Sequence, residues 1–349
     1  MEVMGKGGIM SSFNIWTSKG LRFKLTTGIL ISLLPILVIV LVTYSFNRST
    51  ALEGSENLIK QVMKYNSEKM DTFLEKQTHQ FENWISDDVF GMAIEFNTLK
   101  EVEGRLSNML IESPDFAQLL LTDKSGKILV EKRKGENQKS FVDHSISYSG
   151  QLINHKSAQV GLYPNNLLAE LGNNYPATYL YSFPTHNSSG EVNGLFLAYL
   201  DWGKVQEFTN GIKNELAEFS MKNAVTAVVD NSSYKAFCHS ETERISASLD
   251  LDDSFKKWLT GDNELSLGKF QFEDEQSFSS FARISNPAGF LSRNKAQKNA
   301  EKQLSIVSFI PEDDILGKLS ETMWVSLIIA LIGVSICIFI GYILDRSIA

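Results

Sequence analysis

The sequence predicts an α+β protein: a long N-terminal helix, then two antiparallel-sheet modules, the whole bracketed by two transmembrane helices. Three observations predict it. Two charge-free apolar runs flank a polar middle. Apolar residues recur with a helical period from Ile59 to Val89. The remainder of the middle shows, twice over, the order strand, turn, strand, loops, strand hairpin, closing helix.

The chain has 349 residues, 43% hydrophobic and 21% charged, room for more than one domain at an ordinary globular balance. Its net charge of −8 is unevenly spread. Four cations (Lys6, Lys19, Arg22, Lys24) and one acid precede Asn47, and Asp345 and Arg346 cancel after Thr322, which leaves −11 on Asn47–Thr322. An acidic middle argues against nucleic acid as a partner, because such binding rests on neutralising phosphates. The two cysteines, Cys238 in the polar middle and Cys337 in an apolar run, are not placed to pair.

Gly28–Phe46 and Trp324–Leu344 contain no charged residue. Each approaches the roughly 20 residues a helix needs to cross a lipid bilayer core of about 30 Å. The first run is longer than a signal-peptide core and lacks a small-residue cleavage site, so a retained span is expected over a cleaved leader. Lys19, Arg22 and Lys24 ahead of it hold the N-terminus in the cytoplasm. The expected order is a cytoplasmic tail (1–27), a first span (28–46), an exterior region (47–322), a second span (323–344) and the start of a cytoplasmic linker (345–349). In a bacterium the exterior region is periplasmic or extracellular, and the membrane is the inner one.

Residues 47–100 hold the stalk helix. Ile59, Val62, Met63, Met70, Phe73, Leu74, Phe81, Trp84, Ile85 and Val89 are separated by helical steps, and neither Pro nor Gly interrupts Ser55–Val89. The stripe has two readings. It is all intramolecular core, or half of it packs on a second subunit in a parallel homodimer.

Residues 101–222 form the first module, expected to be membrane-distal. A helix over Glu101–Glu112 stops before Pro114. Phe116–Leu121 and Lys127–Val130 flank the turn Thr122–Gly126 as a hairpin. A loop-rich stretch with Gly150, Gly161, Pro164, Gly172 and Pro176 follows. Thr178–Phe183 and Val192–Leu200 form a second hairpin, and a helix runs from Asp201 to about Met221, with Asp201 suited to its N-cap. Residues 223–322, the proximal module, repeat the order. Ala224–Val229 and Tyr234–Cys238 flank a turn, Asp253–Leu259 is a short helix, and Leu265–Phe272, Ser277–Ile284 and Gln303–Ile310 are strands. Pro311 then opens a helix that leads into the second span. Asp123 and Asp230, 107 residues apart, hold equivalent turn positions, the mark of an internal duplication.

Leu119–Leu129 with its turn Asp123-Lys124-Ser125-Gly126, then Ser182-Phe183-Pro184, Gly190 and Gly194–Trp202, then Ser305–Glu312, occur in an order that resembles the double Cache family. These are bacterial receptor ectodomains in which two PAS-like modules hang from one long helix between two membrane spans. The resemblance covers about Phe23 to the C-terminus. It implies a ligand-sensing part of a chemotaxis receptor or sensor kinase, taking a small-molecule ligand in the distal module. Amino-acid-binding members carry an Arg-x-Trp pair, a later Tyr and an Asp on the last strand. Asp201 matches that Asp, while Glu131–Pro176 contains no Arg-x-Trp. Asp345–Ala349 resembles the start of a HAMP linker, which implies either an output domain beyond this sequence or a protein that works without one.

Asp201 is a helix cap or a polar anchor for a ligand amine or hydroxyl. Tyr179 and Tyr181 share one strand face and are either core or an aromatic pocket wall. Tyr148 and Tyr163, with Tyr175, lie in the loop-rich segment over such a pocket. Histidines at 79, 144, 155, 186 and 239 have no i,i+4 pairing, and no Cys cluster exists, so no metal or cofactor is expected. G-x-S-x-G, Walker A and G-x-G-x-x-G patterns are absent, so the expectation is not an enzyme. The alternative to a ligand sensor is a non-catalytic ectodomain that recruits a periplasmic partner protein.

Overall fold

The computed structural model describes residues 21–86, 88–134, 140–147, 149–154, 157–164, 177–261, 263–273, 275–285 and 304–348. Helix α1 runs over Leu21–Ile85 and so joins the Gly28–Phe46 run to the stalk. It is followed by α2 (Val89–Glu95), α3 (Leu99–Glu112), β1 (Phe116–Asp123), β2 (Ile128–Arg133), α4 (Ser149–Ile153), β3 (Gln159–Pro164), β4 (Ala177–His186), β5 (Val192–Leu200) and α5 (Trp202–Glu218). The second set comprises β6 (Val225–Asp230), β7 (Ala236–His239), α6 (Asp253–Thr260), β8 (Leu265–Phe272), β9 (Glu275–Arg283), β10 (Leu304–Pro311) and α7 (Glu312–Ile348).

The strands form two five-stranded antiparallel sheets, ordered β2-β1-β5-β4-β3 and β7-β6-β10-β9-β8. Element for element the orders are the same, so the duplication expected from the Asp123 and Asp230 turns extends to the ladders. In the first sheet Leu121 pairs with Val130 and Thr122 with Ile128, which bulges Leu129. In the second, Val228 pairs with Cys238 and Val229 with Ala236, which bulges Phe237. Both turn aspartates accept hydrogen bonds from the serines after them, Asp123 from Ser125 and Asp230 from Ser232 and Ser233. Gly126 closes the first turn at φ 84°, a backbone that suits Gly.

Helix α1 backs one face of the first sheet and, lower down, packs on α5. Phe81 stacks on Phe196 and touches Tyr181, and Trp84 packs on Phe116. Lower on the helix, Asp71 accepts bonds from the backbone and hydroxyl of Ser285 at 2.7 Å each. Ile59, Val62, Met63, Met70, Leu74, Phe81 and Trp84 are all buried within the one chain. Seven of the stripe's ten residues are thus core of the one chain, while Phe73 and Ile85 are half-buried and Val89 is exposed. Tyr65 is the one exposed large hydrophobic residue of Asn57–Ile85, so Met63 and Met70 are not available to a partner stalk. The helix also ends earlier than its apolar period suggests, because Val89 opens the separate helix α2.

Asn57–Glu312 is one compact unit and contains both sheets. The chain up to Glu56 and from Asp313 makes the other. Exposed large apolar side chains crowd this second unit, among them Ile39, Val42, Phe46, Trp324, Ile329 and Phe339. Against the two spans expected, one stretch among the described residues, Glu312–Ile340, is long and apolar enough to cross a membrane.

Candidate functional site

The face of the first sheet turned away from α1 holds the candidate site. Alternation along β1 puts Gln118, Leu120 and Thr122 on it. Pairing extends the face sideways: Leu120 stands opposite Leu197 and Glu131, and Gln118 opposite Tyr199 and Arg133. The middle is apolar. Leu120, Ile128, Leu180, Leu195, Leu197 and Tyr199 pack under Phe141, Ile146 and Leu152.

At the β2 side the same face turns polar. The Gln118 amide donates to Glu131 Oε1 at 2.7 Å, and the Phe141 backbone N–H donates to Glu131 Oε2 at 2.8 Å. The Arg133 guanidinium lies 3.5 Å from Glu131 Oε1 and over the Phe141 ring at 5.3 Å. Side-chain exposures of 5% for Glu131 and 10% for Arg133 make this a pair taken almost wholly out of water. Such a pair is tolerated when neighbours supply hydrogen bonds, as Gln118 and Phe141 do for the Glu131 carboxylate. Among the described residues, Gln118 Oε1 is buried without a hydrogen-bond partner. An orphaned buried carbonyl costs about 1–3 kcal/mol, so this oxygen is poised to accept from a donor. Beside the cluster an open groove of about 500 Å³ runs along edge strand β2, between it and α3, lined by Lys100, Glu103, Glu131, Arg133 and Val142.

Of the residues singled out in the sequence, Tyr179 and Tyr181 lie on the opposite face. They do share a face, but it is the one against α1. Both are buried; the Tyr181 ring sits between Phe81 and Phe116, and its hydroxyl is 3.4 Å from the Thr78 hydroxyl. Tyr179 packs on Trp202 at 5.6 Å. Burial pushes both phenols up, for Tyr179 helped by the charges of Tyr181 and Asp71, so neither ionises near neutrality. Asp201 is the N-cap of α5, its Oδ1 accepting from the Gly203 N–H at 3.1 Å. Its other oxygen accepts from Lys134 Nζ at 2.7 Å. Tyr163 lies in β3; Tyr148 and Tyr175 fall outside the described residues. Gln118, Glu131 and Arg133 were missed. The signal available was a Gln between apolar residues in a strand buried on both faces; the Glu and Arg read as solvent-facing because β2 is polar and short.

Among the described residues no group of three or more His, Cys, Asp or Glu is placed to hold a metal ion. No family profile matches the chain, and no curated protein matches it. Solved structures do. The extracellular domain of a protein designated histidine kinase soHK1S-Z6 is 13% identical, with 78% of this chain and 99% of that one aligned at a TM-score of 0.50. The sensor domain of the Vibrio cholerae histidine kinase DctB is 15% identical over 74% and 98% of the two chains, at 0.49. The ligand-binding domain of the Campylobacter jejuni chemoreceptor Tlp3, in complex with L-norvaline, is 15% identical over 77% and 96%, at 0.49. The chain has the fold of an extracytoplasmic sensor domain, consistent with the double Cache resemblance.

Proposed function

We propose that this chain is the sensing part of a bacterial transmembrane receptor. It takes a small polar molecule on the loop-side face of the first module and signals through α7. The observation that carries the reading is the buried Gln118–Glu131–Arg133 cluster with its unpartnered acceptor, beside an open groove. Binding sites are commonly apolar hollows with a few convergent polar groups, and this face has that character. The apolar exposure of Gly28–Phe46 and of α7 is relieved if both lie in a bilayer, which leaves the sheet modules outside the cytoplasm. Asp201 would serve as a second anchor, a ligand cation competing there with Lys134.

The test is a thermal-shift screen of the purified chain against amino acids, organic acids and amines, since binding raises stability by mass action. A hit should lose its effect in Gln118→Leu, and a cationic hit should weaken in Asp201→Asn. A compound that still stabilises the Gln118→Leu protein to the same degree removes the loop-side face as the site. Exterior placement is checked by Lys124→Cys in intact cells. Protection of that cysteine from a membrane-impermeant thiol reagent, with outer-membrane access assured, overturns it.

A further inference from the structure

The two sheets are not merely tethered to one helix. Edge strand β7 of the second sheet has outward backbone groups of Phe237 and His239 satisfied by side chains of α5, the helix that closes the first module. Trp202 Nε1 donates to the Phe237 carbonyl at 3.2 Å. Gln206 grips His239 with both ends of its amide: Nε2 donates to the His239 carbonyl at 2.8 Å, and Oε1 accepts from the His239 N–H at 3.2 Å. One helical step further, the Thr209 carbonyl accepts from the Thr226 hydroxyl on β6 at 2.8 Å. Residues 202, 206 and 209 lie on one helix face, and Trp202, Gln206, Thr209 and Thr226 are buried. A helix laid on a sheet normally does so with apolar side chains. A buried amide is tolerated only when both its donor and acceptor are matched, and that matching admits one register of helix against strand.

The same N-terminal end of α5 is also bonded to the first module. Asp201 binds Lys134, which directly follows Arg133 of the buried cluster, and its backbone N–H donates to the Asp115 carbonyl at 2.8 Å. Tyr179 of the first sheet meets the Trp202 indole edge to face. The strand end beside the candidate site and the edge of the second sheet are thus bonded to the same helix within two turns.

We propose that α5 is the coupling element between the modules, with Gln206 the positioning residue that transmits displacement of the β2–Asp201 contact to strand β7. This holds whatever the first module binds, so it stands or falls separately from the sensing reading. Coupling of this kind is a matter of energy rather than proximity and has to be measured as non-additivity.

The experiment is hydrogen–deuterium exchange of the full chain in lipid nanodiscs, read over Phe237–His239. Lys134→Met releases Asp201 without touching β7. In the native background it should speed exchange in that segment at least about threefold, the low end for residues in one bonded network. In the Gln206→Met background, which keeps length and helix propensity, Lys134→Met should leave the segment's rate unchanged. Gln206→Glu keeps the acceptor and loses the donor, so it should transmit an intermediate effect; it also serves if Gln206→Met fails to fold. An equal response to Lys134→Met with and without the Gln206 amide, or no response in either, overturns the proposal.

Discussion

The two modules share a ladder, a bulge and a turn, yet differ on the face covered by each module's own short helix, α4 or α6. In the second module that face is aromatic. Phe272 stacks on Phe309 with centroids 3.9 Å apart, Phe255 touches Phe270, Phe281 and Phe309, and Trp258 covers Phe270. In the first module the equivalent face carries a charged pair, an unpartnered amide oxygen and a groove beside them. The contrast is sharpest at one ladder position. Leu120 and Ala227 keep the 107-residue offset, and opposite them stand Glu131 and His239. The duplication thus supplies one scaffold twice, with differently filled faces: polar at the β2 side in the first module, aromatic in the second.

The largest test of that contrast is in the packing. Phe255→Ala removes a ring that contacts three others, so it should cost about 4 kcal/mol in denaturant unfolding of the 57–312 unit. Phe141→Ala should cost at least about 1 kcal/mol less, because a covering segment beside an open groove collapses more readily than an aromatic core. Equal losses would show that the first module is as tightly packed as the second.

Glu131→Ala asks whether the polar cluster is held together as described. It strands the Gln118 amide and the Phe141 N–H at once and removes the carboxylate beside Arg133, and should cost about 3 kcal/mol. Glu131→Ala with Arg133→Leu should recover part of that loss. A loss under about 0.5 kcal/mol for Glu131→Ala alone, within the range of surface substitutions, would mean that water already reaches the pair.

The smallest effect is titration at His239. Burial holds its imidazole below the usual 6.5; the Glu241 charge opposes this, while Arg244 and Lys213 add to it. Among the described residues Nε2 is buried without a partner, so protonation cannot be accommodated by a bond already in place. As pH falls below 6.5 the unfolded chain takes up the proton first, and stability present above 6.5 is progressively lost. His239→Gln should flatten the dependence of the melting temperature on pH below 6.5. An unchanged slope would place the acid sensitivity elsewhere.

Much of the architecture was legible along the chain because it depends on neighbours a few residues apart. The steps from Ile59 to Phe81 specify a helix with one apolar side, and the Asp123 and Asp230 turns mark two hairpins. Asp201 was legible as a possible cap, beside its anchor reading, because a short carboxylate before an apolar helix can satisfy that helix's own free N–H groups. The strand at Gln159–Pro164 was hidden by Gly161 and Pro164, which read as loop but sit on an edge, where a strand tolerates them.

What only the tertiary structure decided is which side of each strand is which. Period-two alternation says that Tyr179 and Tyr181 share a face; it is silent on whether α1 or the loops cover it, because that depends on the order β2-β1-β5-β4-β3 and on where the long helix lies. The Leu129 bulge likewise brings Ile128 and Glu131 to the same side although they are three residues apart. Gln118, Glu131 and Arg133 meet across two strands, and Gln206 meets His239 across 33 residues. A local pattern has no term for such pairings, since the sequence determines the elements through contacts within a turn or two, whereas the site and the joint exist only once the sheets have closed.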